Sequence, residues 1–114
     1  MSIELSKKDK RIARELIEKG LPKEFQQGLQ KFDDILQKWK NGQQDNRDAY
    51  DVLYKTVRDF DKHIARRYDN MKGSTYLLIL ATQLADKLIS EGDLAEMNPD
   101  ARNAIISRAQ TILL

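Results

Sequence analysis

The chain has 114 residues, of which 40% are hydrophobic and 33% charged, and its formal net charge is +2; this size suits one domain with its own core. It contains no cysteine and a single histidine, His63, which excludes disulfides, cysteine nucleophiles, zinc–thiolate sites and every metal motif that needs two histidines. The longest purely apolar run, residues 76–81, is far shorter than the roughly 20 residues of a membrane-spanning helix.

The composition favours helix along the whole chain. Leucine, lysine, arginine, glutamine and alanine together make up 51 of the 114 residues, whereas valine occurs only twice, and the former are good helix formers. The N-terminal Met-Ser-Ile-Glu-Leu lacks the charged-then-apolar pattern of a secretion signal. We therefore expect a cytoplasmic, helical protein.

Two helices are predicted in the first third of the chain. A serine cap at Ser6 begins a short helix that we expect to end at Gly20. Pro22 suits the first turn of a second helix, which extends to about Lys40. Its apolar seam has 4-3-4-3 spacing, typical of bundle packing, and consists of Phe25, Leu29, Phe32, Leu36 and Trp39. Gly28, beside this seam, indicates close approach of a neighbouring helix.

Three more helices follow. The third, from about Asp45 to Lys72, has the longest seam and is expected to be the backbone of the core: Tyr50, Leu53, Val57, Phe60, Ile64, Tyr68 and Met71. The fourth is predicted over 75–91, with a broad apolar arc typical of a central helix. The last begins at Asn98-Pro99-Asp100, where a cap precedes a first-turn proline.

Short turns between these helices predict the architecture, because short links make successive helices antiparallel neighbours. The predicted fold is all-α: an up-and-down antiparallel helical bundle of four longer helices plus a short N-terminal helix. It occupies residues 1–114 as a single domain.

One edge of the third helix is a candidate interaction surface. Tyr50, Tyr54, Asp61 and Tyr68 lie within about 40° of one another around the helix axis, and tyrosine is enriched at interface cores. The alternative is that this edge packs against another helix of the same chain. We favour that structural role for Tyr50 and Tyr68 and expect exposure at Tyr54.

Basic residues support a second interpretation, a nucleic-acid-associated protein that binds the phosphate backbone. They lie in the first helix and near the end of the third: Lys7, Lys8, Lys10, Arg11, Arg14, Arg66 and Arg67. Acidic residues interrupt this basic patch, and the sequence pI of 8.8 is below the value above 9 that is usual for nucleic-acid-binding domains. An ordinary exposed helix surface is the commoner meaning.

Catalytic signatures are weak in this sequence. Asp59 and His63 lie four residues apart, on one helix face, as in an acid–base pair or half of a metal site, although a solvated face is favoured. No glycine-rich phosphate loop, nucleophile elbow or calcium loop is present. We predict a protein that is not an enzyme, has no cofactor or metal, and acts through protein contacts or as a homo-oligomer. Nucleic acid is the less favoured partner, and no membrane contact is expected.

Overall fold

The structure, a computed structural model, describes residues 4–114. Residues 1–3, on which part of the prediction about a secretion signal rests, lie outside the described range. The regular elements are helices: α1 (Lys7–Lys40), α2 (Asn46–Tyr68), α3 (Tyr76–Ala85), a short 3-10 helix (Glu91–Leu94) and α4 (Pro99–Leu113). The all-α prediction is confirmed, and no helix within the described range has the length and apolar character to cross a membrane.

The predicted short N-terminal helix is wrong, because α1 continues without a break through Gly20 and Pro22. A proline inside a helix removes one hydrogen-bond donor and costs about 3 kcal/mol, so local signals favoured a break there. Gly20 serves packing and does not form a turn. A Cβ atom at this position would lie 2.8 Å from the amide nitrogen of Gln83.

The chain divides into two compact units. The terminal unit comprises Met1–Lys23 with Asn70–Leu114, and the hairpin unit comprises Glu24–Asp69. The single domain and the antiparallel bundle remain predictions.

The terminal unit has a large apolar core. Ile12, Ala13, Leu16 and Ile17 of α1 are buried, as are residues of α3, α4 and the segment between them. Buried Gln83 donates from Nε2 to the Ile17 carbonyl oxygen at 3.1 Å, so the amide nitrogen has a partner inside the core. The buried apolar residues of this unit are Leu5, Ile12, Ala13, Leu16, Ile17, Ile79, Leu80, Ala81, Ala85, Leu88, Ile89, Leu94, Met97, Ala101, Ile105 and Ala109.

The helix predicted over 75–91 is shorter in the structure, where α3 has only ten residues. Lys87 has a φ of 61°, in the left-handed region. The Leu88 N–H donates to the Gln83 carbonyl at 2.9 Å, and the Lys87 N–H donates to the Leu84 carbonyl at 3.1 Å. These are the bonds of a Schellman cap. The sequence places lysine where glycine is usual, so no local signal marked this end.

Capping at α1 and α4 agrees with the sequence. Asn98 Oδ1 accepts the Asp100 N–H at 3.0 Å, and Pro99 is the first residue of α4. Ser6 Oγ accepts the Asp9 N–H at 3.1 Å. The buried Asp9 carboxylate also accepts the Asn98 N–H at 3.1 Å, so it joins the beginning of α1 to the beginning of α4.

The hairpin unit consists of the second part of α1 and the whole of α2, running in opposite directions. At its tip, the Trp39 indole N–H donates to Asn46 Oδ1 at 2.7 Å, next to a turn in which Gly42 has a φ of 76°. Farther along, a Cβ atom at Gly28 would lie 2.5 Å from the Phe60 ring. The predicted close approach at Gly28 is confirmed.

The hairpin unit buries little. Only Glu24, Gly28 and Ala49 are buried among residues 24–69. The third predicted helix, which is α2 in the structure, is therefore not the backbone of the core, and that prediction is wrong. Two helices alone shield only the narrow strip between them. The predicted seam residues of this unit are therefore half-buried or exposed: Phe25, Leu29, Phe32, Leu36, Trp39, Tyr50, Leu53, Val57, Phe60, Ile64 and Tyr68.

The Gly28→Ala variant tests the close approach of the two helices. Alanine favours helix over glycine by about 1 kcal/mol, but its methyl group would overlap the Phe60 ring, and overpacking costs about 1–3 kcal/mol. Because the added carbon would lie only 2.5 Å from the ring, we expect the overpacking cost to lie in the upper part of this range. The net loss in the free energy of unfolding, measured by urea titration, should then be about 1–2 kcal/mol. Gln27→Ala, at an exposed neighbouring position, is the control and should change stability by less than about 0.5 kcal/mol. Unchanged stability of Gly28→Ala would contradict this packing.

Asp93 makes the stability of the terminal unit depend on pH. The Ser90 backbone N–H, donating to Oδ2 at 2.9 Å, is the main group that lowers the pKa of Asp93, and Lys19 at 3.2 Å adds to the effect. Because the folded pKa lies below the unfolded one, this stabilisation is present above about pH 4 and is lost as the pH falls through the lowered pKa. Asp93→Asn should therefore reduce the acid-dependent loss of stability in urea titrations at successive pH values. Glu91→Gln, at an exposed position in the same short helix, should retain the wild-type pH profile.

Candidate functional site

A buried carboxylate lies at the open end of the hairpin unit. The Glu24 side chain is only 4% exposed, and its Oε2 lies 2.8 Å from Arg67 Nη1 and 2.5 Å from His63 Nε2. The Tyr68 hydroxyl donates to the other oxygen, Oε1. We call these four residues the Glu24 cluster.

The periodicity of α2 explains how three groups reach one carboxylate. His63 and Arg67 are separated by four residues and therefore lie one turn apart on the same face. Tyr68 follows directly at the end of the helix. Burying a lone carboxylate costs several kcal/mol, whereas an opposite charge and further hydrogen bonds offset that cost. The Glu24 cluster therefore joins α1 to α2 by polar bonds.

The cluster changes the interpretation of the single histidine. The structure brings His63 to Glu24, which lies on another helix, and not to Asp59, its neighbour on α2. The His63 side chain is 44% exposed, so it is in contact with solvent as well as with the carboxylate. Among residues 4–114, no group of three or more histidines or carboxylates is arranged to hold a metal ion.

The predicted tyrosine edge divides into two parts. Tyr50 and Tyr54 are 66% and 58% exposed, and their rings stack with centroids 6.4 Å apart. The Arg58 guanidinium lies 5.8 Å from the Tyr54 ring centroid, and Asp61 is exposed. Tyr68 is half-buried and belongs to the Glu24 cluster. The expectation that Tyr50 would be covered is wrong, whereas exposure of Tyr54 agrees with the sequence.

Exposed apolar side chains continue beyond the tyrosines. Leu29 is 65% exposed, and Phe25 and Val57 are also exposed. A mainly apolar groove of about 200 Å³ opens at the tip of the hairpin, lined by Leu36, Trp39, Asn46, Ala49, Tyr50 and Leu53. Residues of α1 and α2 line this groove together, and Tyr50 belongs both to the groove and to the exposed apolar set. We call the exposed residues Phe25, Leu29, Tyr50, Tyr54 and Val57 the hairpin face.

The predicted basic patch comes from both units. Its residues from α1 belong to the terminal unit and are exposed: Lys7, Lys8, Lys10, Arg11 and Arg14. The Arg14 Nε atom lies 3.6 Å from Glu18 Oε1. Arg66 is exposed on α2, but the side chain of Arg67 is only 13% exposed and is paired with Glu24. One charge of the patch is thus compensated inside the fold.

Sequence reasoning missed Glu24, on which the polar cluster is centred. It precedes Phe25, the first residue of the predicted seam, and lies four residues before Gly28, so it is on the packed side of the helix. The sequence signal that could have identified Glu24 was a carboxylate on the side of a helix that faces a neighbouring helix. Its partners, however, lie 39 to 44 residues away in the sequence, and no local pattern joins them.

Comparisons with family models, curated proteins and solved structures return no match for this chain. A function is therefore inferred from the described residues alone. The hairpin unit supplies the two features with chemical consequences, the Glu24 cluster and the hairpin face.

Removing Glu24 should destabilise the protein strongly. Loss of one member of a buried ion pair costs about 3–5 kcal/mol, and the Arg67 side chain of this pair is only 13% exposed. We expect Glu24→Ala to lower the free energy of unfolding by about 3 kcal/mol in urea titrations. Tyr68→Phe, which removes one neutral donor, should cost about 1 kcal/mol.

An exposed ion pair provides the matched control. Glu18→Ala removes the partner of Arg14, and both of these side chains are more than half exposed. Such pairs contribute about 0–1 kcal/mol. Equal losses for Glu18→Ala and Glu24→Ala would contradict the importance assigned to the Glu24 cluster.

Proposed function

We propose that this chain is a non-enzymatic binding protein that contacts another protein through the hairpin face. The observation that carries the proposal is the lack of buried large apolar side chains among residues 24–69. A helix pair of this length normally buries its apolar stripe against further helices. In the proposed complex, the partner supplies them.

The chemistry of the hairpin face suits a protein contact. Apolar surface removed from water contributes about 25 cal/mol per Å², and Leu29, Phe25 and Val57 all retain exposed area. Tyrosines add a large apolar ring with a polar tip, which suits a surface that is wet when free and covered when bound. The five side chains of the hairpin face carry no charge themselves, and depletion of charge is typical of interface cores.

The predicted antiparallel bundle and the cytoplasmic location belong to the same proposal. We propose that the partner completes an antiparallel helical bundle with the hairpin unit, and that binding takes place in the cytoplasm without a cofactor or metal. Nucleic acid is less favoured as the partner. Arg67 is paired inside the fold, Arg14 has an acidic neighbour in Glu18, and the remaining basic residues are divided between two units.

A Leu29→Glu variant tests this proposal. Leu29 is 65% exposed, so the substitution should leave the free energy of unfolding within about 0.5 kcal/mol of wild type but place a charge in the interface. The tagged full chain is studied in two ways: purified, by light scattering with size exclusion, and in lysate of the source cells, by quantitative capture. We expect a complex in at least one setting, weakened about tenfold or more by Leu29→Glu.

Gln27→Glu is the matched control, because it adds the same charge at an exposed position outside the hairpin face. It should bind like the wild type. The proposal would be overturned by a wild-type chain that forms no complex in either setting, or by equal binding of Leu29→Glu.

A further inference from the structure

We propose that the partner is a second copy of this chain, which packs antiparallel along α2 with Tyr54 at the two-fold axis. This inference rests on the proposed function, because it names the protein that covers the part of the hairpin face that lies on α2. The proposed contact also includes a row of charged residues on α2 that the binding proposal does not use.

The row lies on the outer side of α2. Its members have 4-3-4-3 spacing, so they form one stripe along the helix, and all of them are exposed. We call this stripe the α2 stripe: Arg47, Asp51, Tyr54, Arg58 and Asp61.

The charges of the α2 stripe are self-complementary when the direction of the helix is reversed. Arg47 and Asp61 lie seven residues on either side of Tyr54, and Asp51 and Arg58 lie three and four residues from it. In an antiparallel pair centred on Tyr54, Arg47 faces the partner's Asp61. Asp51 likewise faces the partner's Arg58. A two-fold axis makes each of these contacts twice.

A parallel pair would have the opposite electrostatics. Each arginine would then face its own copy, and each aspartate likewise, and such like-charge contacts across an interface cost several kcal/mol. The order of charges therefore selects the antiparallel direction and fixes the register to one position of the helix.

The charged groups of the α2 stripe are available for these contacts. Within residues 4–114, none of the four has an ion-pair partner, although Arg47 and Asp51 have the i,i+4 spacing that permits one. The Arg58 guanidinium lies beside the Tyr54 ring, 5.8 Å from its centroid, which places the cation next to the proposed axis.

Apolar contacts supply most of the affinity in this arrangement, because exposed ion pairs contribute little by themselves. Tyr54 would meet its own copy at the axis, and Tyr50 and Val57, which are also exposed, lie within one turn of it. The stripe from Arg47 to Asp61 extends over about 21 Å at 1.5 Å per residue. This length suits a contact between two paired helices.

Charge exchange tests the register directly. The full chain is studied by sedimentation equilibrium at concentrations on the order of 1–500 µM, a range that includes weak dimers. We expect the wild type to dimerise. Arg47→Asp and Asp61→Arg should each raise the dissociation constant about tenfold or more, because each places two pairs of like charges in contact.

Two combinations should restore dimerisation. The double variant Arg47→Asp/Asp61→Arg regains both opposite-charge pairs with the signs exchanged. An equimolar mixture of the two single variants should form a heterodimer, since Asp at 47 then meets Arg at 61 and Asp61 meets Arg47. Both should return to within about threefold of the wild-type dissociation constant.

Controls separate the contact from folding. Asp59→Arg makes the same charge change at an exposed residue of α2 outside the stripe and should dimerise normally. Arg47→Asp adds an acid to the first turn of α2, which the helix dipole favours, so its helix content should equal that of the wild type by circular dichroism.

Three results would overturn the inference: a monomeric wild type over the whole range, no recovery in the double variant, or no recovery in the mixture. If the wild type is monomeric but captures a different protein in a Leu29-dependent way, self-association fails and the proposed binding function stands. If it is monomeric and captures nothing, both fail.

Discussion

Two packed helices shield only the strip of side chains between them, and this geometric limit governs the hairpin unit. Gly28 lets the Phe60 ring come close to the α1 backbone, so the strip is narrow. Every large apolar side chain beside it keeps some contact with water. The terminal unit has no such limit, because α3 contributes five buried residues to a core shared with α4 and part of α1. The terminal unit thus buries most of its apolar side chains in one core, whereas the hairpin unit leaves its large apolar side chains partly exposed.

Polar bonds fix the alignment of α1 with α2 in the hairpin unit, where the apolar core is small. The Glu24 carboxylate receives bonds from three side chains of α2, and such bonds are directional in a way that apolar contacts are not. A slip of one residue between α1 and α2 would separate the carboxylate from Arg67. The cluster therefore specifies the register of the hairpin at its open end, as the Trp39–Asn46 bond does at its tip. Buried ion pairs are well suited to such specification, although their net stabilisation is small.

Local signals predicted the features that are decided by local chemistry. The caps at Ser6 and Asn98 follow from side-chain oxygens next to helix starts, and the helix end predicted near Lys40 agrees with the end of α1. Tertiary contacts decided the rest. α1 continues through Gly20, which lies against Gln83, and the chain turns at Lys87, where no local signal predicted a helix end. The tyrosine edge was recognised from periodicity, but its division between exposed and buried members depended on Glu24, a partner on another helix.

The only tryptophan of the chain lies in the hairpin unit, where its indole N–H is bonded to Asn46 at the tip. Emission from Trp39 on selective excitation therefore reports on the hairpin, whereas far-ultraviolet circular dichroism reports on every helix. The protein thus contains a natural optical label for one of its two compact units. Coincident denaturation curves from the two signals would mean that the units unfold together, and separate curves would give each unit its own free energy of unfolding.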